Sequence, residues 1–245
     1  VSCEMDTICQ IARRHDLLVI EDAAHGLGAT YRGRHLGAIG HFGTYSFHEK
    51  KNVVAGEGGA LVINDERFVD RAERITDSGT NRAELQRGEA DQYTWVDVGS
   101  SFRPSEITAA FLYAQLEKCE DINRERREVF ERYHEAFESI EMRGLARRPR
   151  CPEYCGHNGH MFYLILADNS ERKDLIEHLK WQGIEAAFHF VPLHTSPMGR
   201  RMGYRYGDLP TTEEVSACLL RLPCYPHLSL TDQFRVVEAV SSFWN

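Results

Sequence analysis

The chain has 245 residues, 42% of them apolar and 27% charged, with a formal net charge of −8. That length can bury one large core or two smaller ones, and both charge signs are spread along it. No basic stripe interleaved with aromatics is present for nucleic acid, and no run approaches the roughly 20 apolar residues that span a bilayer.

In chain order, Asp6 to His15 place Ile8, Ile11 and Ala12 on one helical face. The apolar run Leu17-Leu18-Val19-Ile20 then predicts a buried strand ending in Glu21-Asp22. Gly37 to Gly43 is turn-rich, Thr44 to Phe47 and Gly59 to Asn64 read as strands, and Glu66 to Thr76 as an amphipathic helix. The polar stretch from Asp77 to Gln92 is long for a connector and predicts a functional flap. Pro104 opens a long helical pattern that runs past Glu135, with a break near Cys119 to Asn123. Within it Arg124, Arg126 and Arg127 alternate with acids, as a solvated helix face does. Met161 to Leu166 is a predicted strand, Glu171 to Trp181 a helix closed by Gly183, and Ile184 to Val191 a further strand. Thr212 to Leu220 and Asp232 to Phe243 read as the last helices. The expected organisation is residues 1–103 in a cofactor-binding domain, 104–143 as linking helices, and 144–245 as a small α+β domain.

Seven cysteines are scattered through these elements, an odd number that suits a reducing compartment, and the expectation is a cytoplasmic protein. Cys151 and Cys155 have no matching second pair, so no metal site is expected. Val1 in place of methionine, with a helix entered in mid-pattern, reads as an incomplete chain.

Chemistry concentrates at two places. Asp22 ends a strand, and the carboxyl ends of parallel strands line the ligand crevice of open α/β sheets; an aspartate after a strand serves equally well as a helix cap. Lys51 lies in Ser46-Phe47-His48-Glu49-Lys50-Lys51-Asn52, ahead of Gly56-Glu57-Gly58-Gly59. A lone lysine is most often a solvated surface charge. An amine of depressed pKa together with a carboxylate for a pyridinium nitrogen is what pyridoxal phosphate requires, and Lys51 and Asp22 supply those two halves.

The segments Glu21-Asp22-Ala23-Ala24-His25, Ser46 to Asn52 and Gly56 to Gly59 closely resemble the sugar aminotransferases of the DegT/DnrJ/EryC1/StrS family. The likeness continues through Gly79-Thr80-Asn81-Arg82, Tyr93 to Ser101, His189-Phe190-Val191-Pro192-Leu193-His194 and Arg221-Leu222-Pro223. The resemblance implies an α/β protein of pyridoxal-phosphate transferase fold type I: a partial large domain with a mixed, mostly parallel sheet, plus the smaller α+β domain. It implies transfer of an amino group from L-glutamate, leaving 2-oxoglutarate, to the C4 ketone of a dTDP-4-keto-6-deoxyhexose. It also implies a homodimer at full length. Lys51 matches the Schiff-base lysine, Asp22 the partner of the pyridine nitrogen, and Ser46 the serine on the cofactor phosphate. His25 stands where most relatives carry glutamine, and Ser101 where a frequent asparagine reaches the partner subunit's cofactor. The spacing to Asn52 and Gly56 favours Lys51 over Lys50. His48, His189 and His194 are candidates for the substrate or cofactor wall, each equally readable as a structural histidine. Family members carry an N-terminal phosphate loop and a ring-stacking aromatic that this sequence lacks.

Three other readings stay open. Gly56 to Gly59 as a nucleotide loop lacks the Gly-Lys-Ser/Thr ending of a P-loop. A related deoxysugar dehydratase would carry histidine in place of Lys51. A non-catalytic fragment unable to hold cofactor is the third.

Overall fold

The computed structural model describes residues 1–244. In chain order the elements begin with α1 (Met5–Arg14), β1 (Ile20–Asp22), β2 (Thr30–Tyr31), β3 (Arg34–His35), β4 (Phe42–Ser46) and β5 (Gly59–Ile63). Next come α2 (Val69–Thr76), α3 (Arg82–Gln86), α4 (Glu106–Glu117), α5 (Cys119–Ala136), α6 (Glu138–Met142), β6 (Ala146–Arg147) and β7 (Cys155–Gly156). The chain closes with β8 (Phe162–Leu166), α7 (Asn169–Trp181), β9 (Ala187–Phe188), α8 (Pro197–Arg201), α9 (Pro210–Cys218), β10 (Leu219–Leu222) and α10 (Leu230–Ser242). They form two compact units, the first made of Val1–Asp121 with Pro152–Asn158, the second of Ile122–Cys151 with the chain from Gly159 onward.

The first unit is built on a mixed sheet in the order β1-β4-β5. β1 and β4 run parallel, pairing Asp22 with Thr44, and β5 returns antiparallel. Parallel pairing sends both β1 and β4 toward the same edge, so Asp22 and Ser46 end their strands on one side of the sheet. Gly43 is required in β4 because a side chain there would collide with the backbone of Gly37, 2.0 Å from the position a Cβ would take. A second small sheet, β3-β2-β7, draws residues 155–156 back against the β2–β3 hairpin. Tyr31, wholly buried, and Arg32 anchor that corner: the Tyr31 hydroxyl donates to Glu4 and Asp6, and the Arg32 guanidinium lies over the rings of Tyr31 and Tyr154.

The second unit carries a four-stranded sheet in the order β6-β8-β10-β9, antiparallel throughout. Its strands alternate as period-2 burial demands. Phe162, Leu164 and Leu166 of β8 and Leu220 and Leu222 of β10 point into the core, where they meet Tyr133 and Phe137, Leu175 and Leu179 of α7, and Val236 and Val240 of α10. The Phe162 ring has three aromatic neighbours, with centroids 5.2 Å away at Phe130, 5.4 Å at Tyr133 and 5.9 Å at Phe137. Side-chain caps set the helix starts: Asp168 accepts from the amides of Ser170 and Glu171, and Ser229 from that of Asp232.

Several elements depart from the sequence reading. The predicted strand Leu17 to Ile20 lies three residues further on, at Ile20–Asp22, and Leu17 and Leu18 are more than half exposed. The predicted helix Thr212 to Leu220 stops at Cys218, because Leu219–Leu222 forms the central strand β10, whose alternating burial a helical period cannot match. The predicted strand Ile184 to Val191 contracts to Ala187–Phe188, and the flap at Asp77 to Gln92 contains α3. The helix break near Cys119 to Asn123 appears as the junction of α4 and α5 at Lys118.

Replacing Phe162 with alanine is expected to cost about 3–5 kcal/mol, since the cavity sits in the middle of three rings; urea denaturation followed by near-ultraviolet circular dichroism measures it. The buried pair His194–Glu213 in the same unit gives a pH dependence. His194 Nε2 lies 2.7 Å from Glu213 Oε1, and that hydrogen bond holds the carboxyl below the usual carboxylate range. A carboxyl depressed on folding adds stability above its unfolded pKa and loses it as pH falls through its folded value. Thermal midpoints of Glu213→Gln should therefore fall less steeply on acidification, over about pH 5 to 3, than those of the parent chain.

Candidate functional site around Lys51

The acids at the end of β1 divide between two tasks. Glu21, 8% exposed, points inward, and its carboxylate accepts the backbone amides of Gly37 (2.9 Å), Ile39 (2.6 Å) and Gly40 (2.6 Å). Asp22, one residue on, emerges on the opposite face and is exposed. Its Oδ1 accepts the Ala24 amide at 3.1 Å, which turns the chain toward His25. Strand alternation thus assigns Glu21 to the scaffold and leaves the Asp22 carboxylate exposed.

The lysine loop leaves β4 at Ser46 and is closed on itself by backbone hydrogen bonds. The Phe47 amide donates to the Gly58 carbonyl (2.9 Å), the Glu49 amide to Gly56 (2.9 Å), the Ala55 amide to Phe47 (2.7 Å) and the Lys51 amide to His48 (2.9 Å). Gly56 and Gly58 adopt φ of +79° and +140° in open space, so glycine is needed there for conformation and not for room. Lys50 is exposed, whereas Lys51 is half-buried. Burial lowers the Lys51 ammonium pKa, and the charge of Asp22 acts against that shift. The two groups therefore share one electrostatic environment, with desolvation the stronger influence.

The other candidates fall as follows. Ser46 Oγ accepts the His48 amide at a long 3.4 Å, at the head of the lysine loop. His48 is turned into that loop: its Nδ1 accepts the Lys50 amide at 3.2 Å and its Nε2 lies 3.7 Å from Glu57. His25 lies exposed on the turn after Asp22. Ser101 belongs to a different loop, bridged to Asp77 at the base of the flap. That flap is tied by Asn81, whose Nδ2 donates to the Gln92 carbonyl (2.9 Å) and whose Oδ1 accepts the Thr94 amide (2.8 Å), and by Arg82 and Arg103 on Asp77. His189 and His194 lie in the second unit. There His194, 7% exposed, is held by Glu213, which also accepts the Gly207 amide at 2.7 Å.

Two asparagines complete the site. Asn52, buried beside Lys51, donates from Nδ2 to the Asn158 carbonyl at 2.9 Å. Asn158, also buried, donates from its own Nδ2 to the carbonyls of His25 (2.8 Å) and Leu27 (3.0 Å). Asn158 thereby ties the turn after Asp22 to the loop that carries Lys51. Asn52 had a signal in its place next to Lys51 in the motif quoted above, but nothing in the local sequence marks Asn158, 106 residues further on.

Asn158→Ala removes the side-chain donor to the carbonyls of His25 and Leu27, at about 1–3 kcal/mol, and keeps the backbone carbonyl to which Asn52 donates. Hydrogen exchange at residues 25–28 is expected to accelerate, with residues 50–56 and the second unit unchanged. Acylation of Lys51, followed by mass spectrometry against pH, should reach half its maximal rate below the range of an ordinary lysine. In Asp22→Asn the opposing charge is gone, so the midpoint moves lower still.

The profile of the DegT/DnrJ/EryC1/StrS aminotransferase family matches residues 1–241. An uncharacterized protein of Methanocaldococcus jannaschii is 36% identical over 97% of this chain and 63% of its own length. The spore coat polysaccharide biosynthesis protein SpsC of Bacillus subtilis is 32% identical over 98% of this chain and 63% of its own. Among solved structures, a DegT/DnrJ/EryC1/StrS aminotransferase from Brucella abortus superposes with a TM-score of 0.85 at 29% identity, covering 99% of this chain and 61% of that one. DesV of S. venezuelae does so with a TM-score of 0.87 at 29% identity, covering 99% and 62%. The chain thus spans a little under two thirds of the length of the relatives it matches. It belongs to the DegT/DnrJ/EryC1/StrS family of pyridoxal-phosphate-dependent aminotransferases.

Proposed function

We propose that this protein acts as a sugar-nucleotide aminotransferase, moving an amino group from L-glutamate to the C4 ketone of a dTDP-4-keto-6-deoxyhexose for cell-surface polysaccharide. The observation that carries the reading is the pairing of a half-buried, pKa-depressed Lys51 with Asp22 across adjacent parallel strand ends. The sugar is supported by the likeness to a spore coat polysaccharide biosynthesis protein, and the dTDP-hexose by the segments Tyr93 to Ser101 and His189 to His194.

The residues present fit the cofactor. When bound, pyridoxal phosphate supplies an aldehyde that condenses with amines and a protonated ring that accepts an electron pair. Lys51 Nζ is the attachment point, since a desolvated amine has a larger unprotonated, nucleophilic fraction near neutral pH. Asp22 would hold a proton on the pyridine nitrogen, as an ionised carboxylate beside a cationic ring does. Ser46, at the end of β4, would hold the phosphate through its hydroxyl, and His25 would offer a ring N–H to the phenolic oxygen. Lys51 Nζ would also be the group that takes a proton from the donor's α-carbon and later returns one to the sugar's C4, serving as base and then acid. The full-length enzyme is a homodimer in this reading, with Ser101 reaching toward the partner's cofactor.

The test is borohydride reduction after incubation with pyridoxal phosphate. The reduced cofactor should appear on the peptide containing Lys51 and be absent from Lys51→Ala, and Asp22→Ala should lower glutamate-dependent turnover by about 10²–10⁴-fold with modest loss of attachment. Attachment at Lys50 instead, or retention of the adduct in Lys51→Ala, would overturn the assignment. A chain that never saturates with cofactor, while the full-length relative does, would favour a non-catalytic fragment.

A further inference from the structure

The first unit leaves two cations without a counter-charge at one place. Seven of its ten arginines lie on a carboxylate at 3.4 Å or closer. Arg13, Arg14 and Arg34 have no such partner among the described residues, and Arg13 and Arg34 line the same hollow, of about 450 Å³. They come from different elements, Arg13 from the last turn of α1 and Arg34 from β3. A helix C-terminus accounts for a cation at Arg13, but it gives no account of Arg34. In a chain of net charge −8, two unpaired guanidinium groups on one hollow make a local positive field.

The rest of the hollow is mostly polar, and its walls are held. α1 buries Met5 and Ala12, while Asp6, Gln10 and Arg13, spaced i, i+4, i+7, line the hollow as a neighbouring stripe with Thr7 beside it. Asp6 is already engaged: it accepts the Tyr31 hydroxyl at 3.3 Å and pairs with Arg32 at 3.4 Å. Arg34 Nη2 meets the Ile39 carbonyl only at a long 3.5 Å, which leaves its fork open. Ile39, on the same wall, has its amide fixed on Glu21 at 2.6 Å. Seven positions along a helix put Asp6 and Arg13 about 10 Å apart along the axis, so the stripe has an acidic end and a cationic end. None of the described residues lining the hollow is aromatic. Its volume falls within the roughly 300–1,000 Å³ of small-molecule sites.

We propose that this hollow binds a sugar phosphate. Arg13 and Arg34 hold the phosphate dianion from two walls, each through its planar set of N–H donors. Asp6, Gln10 and Thr7 take the sugar hydroxyls: the carboxylate accepts from them, and the amide and the threonine hydroxyl both donate and accept. A nucleobase is disfavoured, because no ring is present for it to stack on. The site uses none of the residues assigned to pyridoxal phosphate, so it stands or falls apart from the aminotransferase reading.

The experiment is calorimetric titration of the whole chain with glucose 6-phosphate, with glucose, inorganic phosphate and AMP as comparison probes. Glucose 6-phosphate should bind the parent more tightly than any of the other three. Its affinity should fall about fivefold or more in Arg13→Gln and in Arg34→Gln, and by less in Gln10→Ala. Arg14→Gln, which removes an unpaired arginine outside the hollow, should match the parent. All four positions are exposed, so circular dichroism of these variants should be unchanged. Lys51→Ala and Ser46→Ala should bind as the parent does, which separates this site from a phosphate seat beside Lys51. The proposal is overturned by absence of glucose 6-phosphate binding, by affinities in both Arg13→Gln and Arg34→Gln within about twofold of the parent, or by loss of binding in Ser46→Ala. Inorganic phosphate or AMP binding as tightly as glucose 6-phosphate overturns the assignment to a sugar phosphate.

Discussion

The parallel pairing of β1 with β4 is the constraint on which the candidate site depends. Two adjacent strands that run the same way must end on the same side, and only this puts an acid from one beside a loop from the other. Glu21 secures the arrangement from behind. Three amides from the turn at Gly37 to Gly40 converge on its carboxylate, which fixes where β1 stops relative to the segment that feeds β4. With that register set, Asp22 has one available face, and it is the face that Lys51 shares.

The electrostatics of the pair follow from its partial burial. In water a carboxylate beside an ammonium raises the amine's pKa, which would leave the lysine protonated and unreactive. Here desolvation outweighs the attraction, so the Lys51 pKa lies below its ordinary value even with Asp22 nearby. The lysine loop contributes by being shaped without large side chains: four backbone hydrogen bonds and two glycines of positive φ hold it. His48, on that loop, spends its Nδ1 on the Lys50 amide, so its visible work is to hold backbone.

How much could be read from sequence follows the range of the interactions. Asp22 and Lys51 stood out because a strand end, a glycine run and a charged pair are local patterns, and the helices α2, α7 and α10 followed from periodicity. Leu17 and Leu18 misled because an apolar run does not say which end of it enters the sheet. Leu219 and Leu220 were read as the end of a helix, since four residues of strand directly after a helix give period-2 alternation too little length to show. Glu21 and Asp22 are indistinguishable as letters; only the pleat separates them. His194 has chemistry enough for a ligand contact, and its burial against Glu213 comes from a residue 19 positions away.

Asn158 has a consequence for the order in which the molecule can be assembled. Its side chain closes onto His25, 133 residues earlier, and its carbonyl onto Asn52, 106 residues earlier. A nascent chain emerging from the ribosome would therefore expose Lys51 long before its tether is synthesised, and during that interval the lysine loop has only its own backbone bonds to hold it. The position of Lys51 relative to the turn after Asp22 is therefore settled only after residue 158 has folded back.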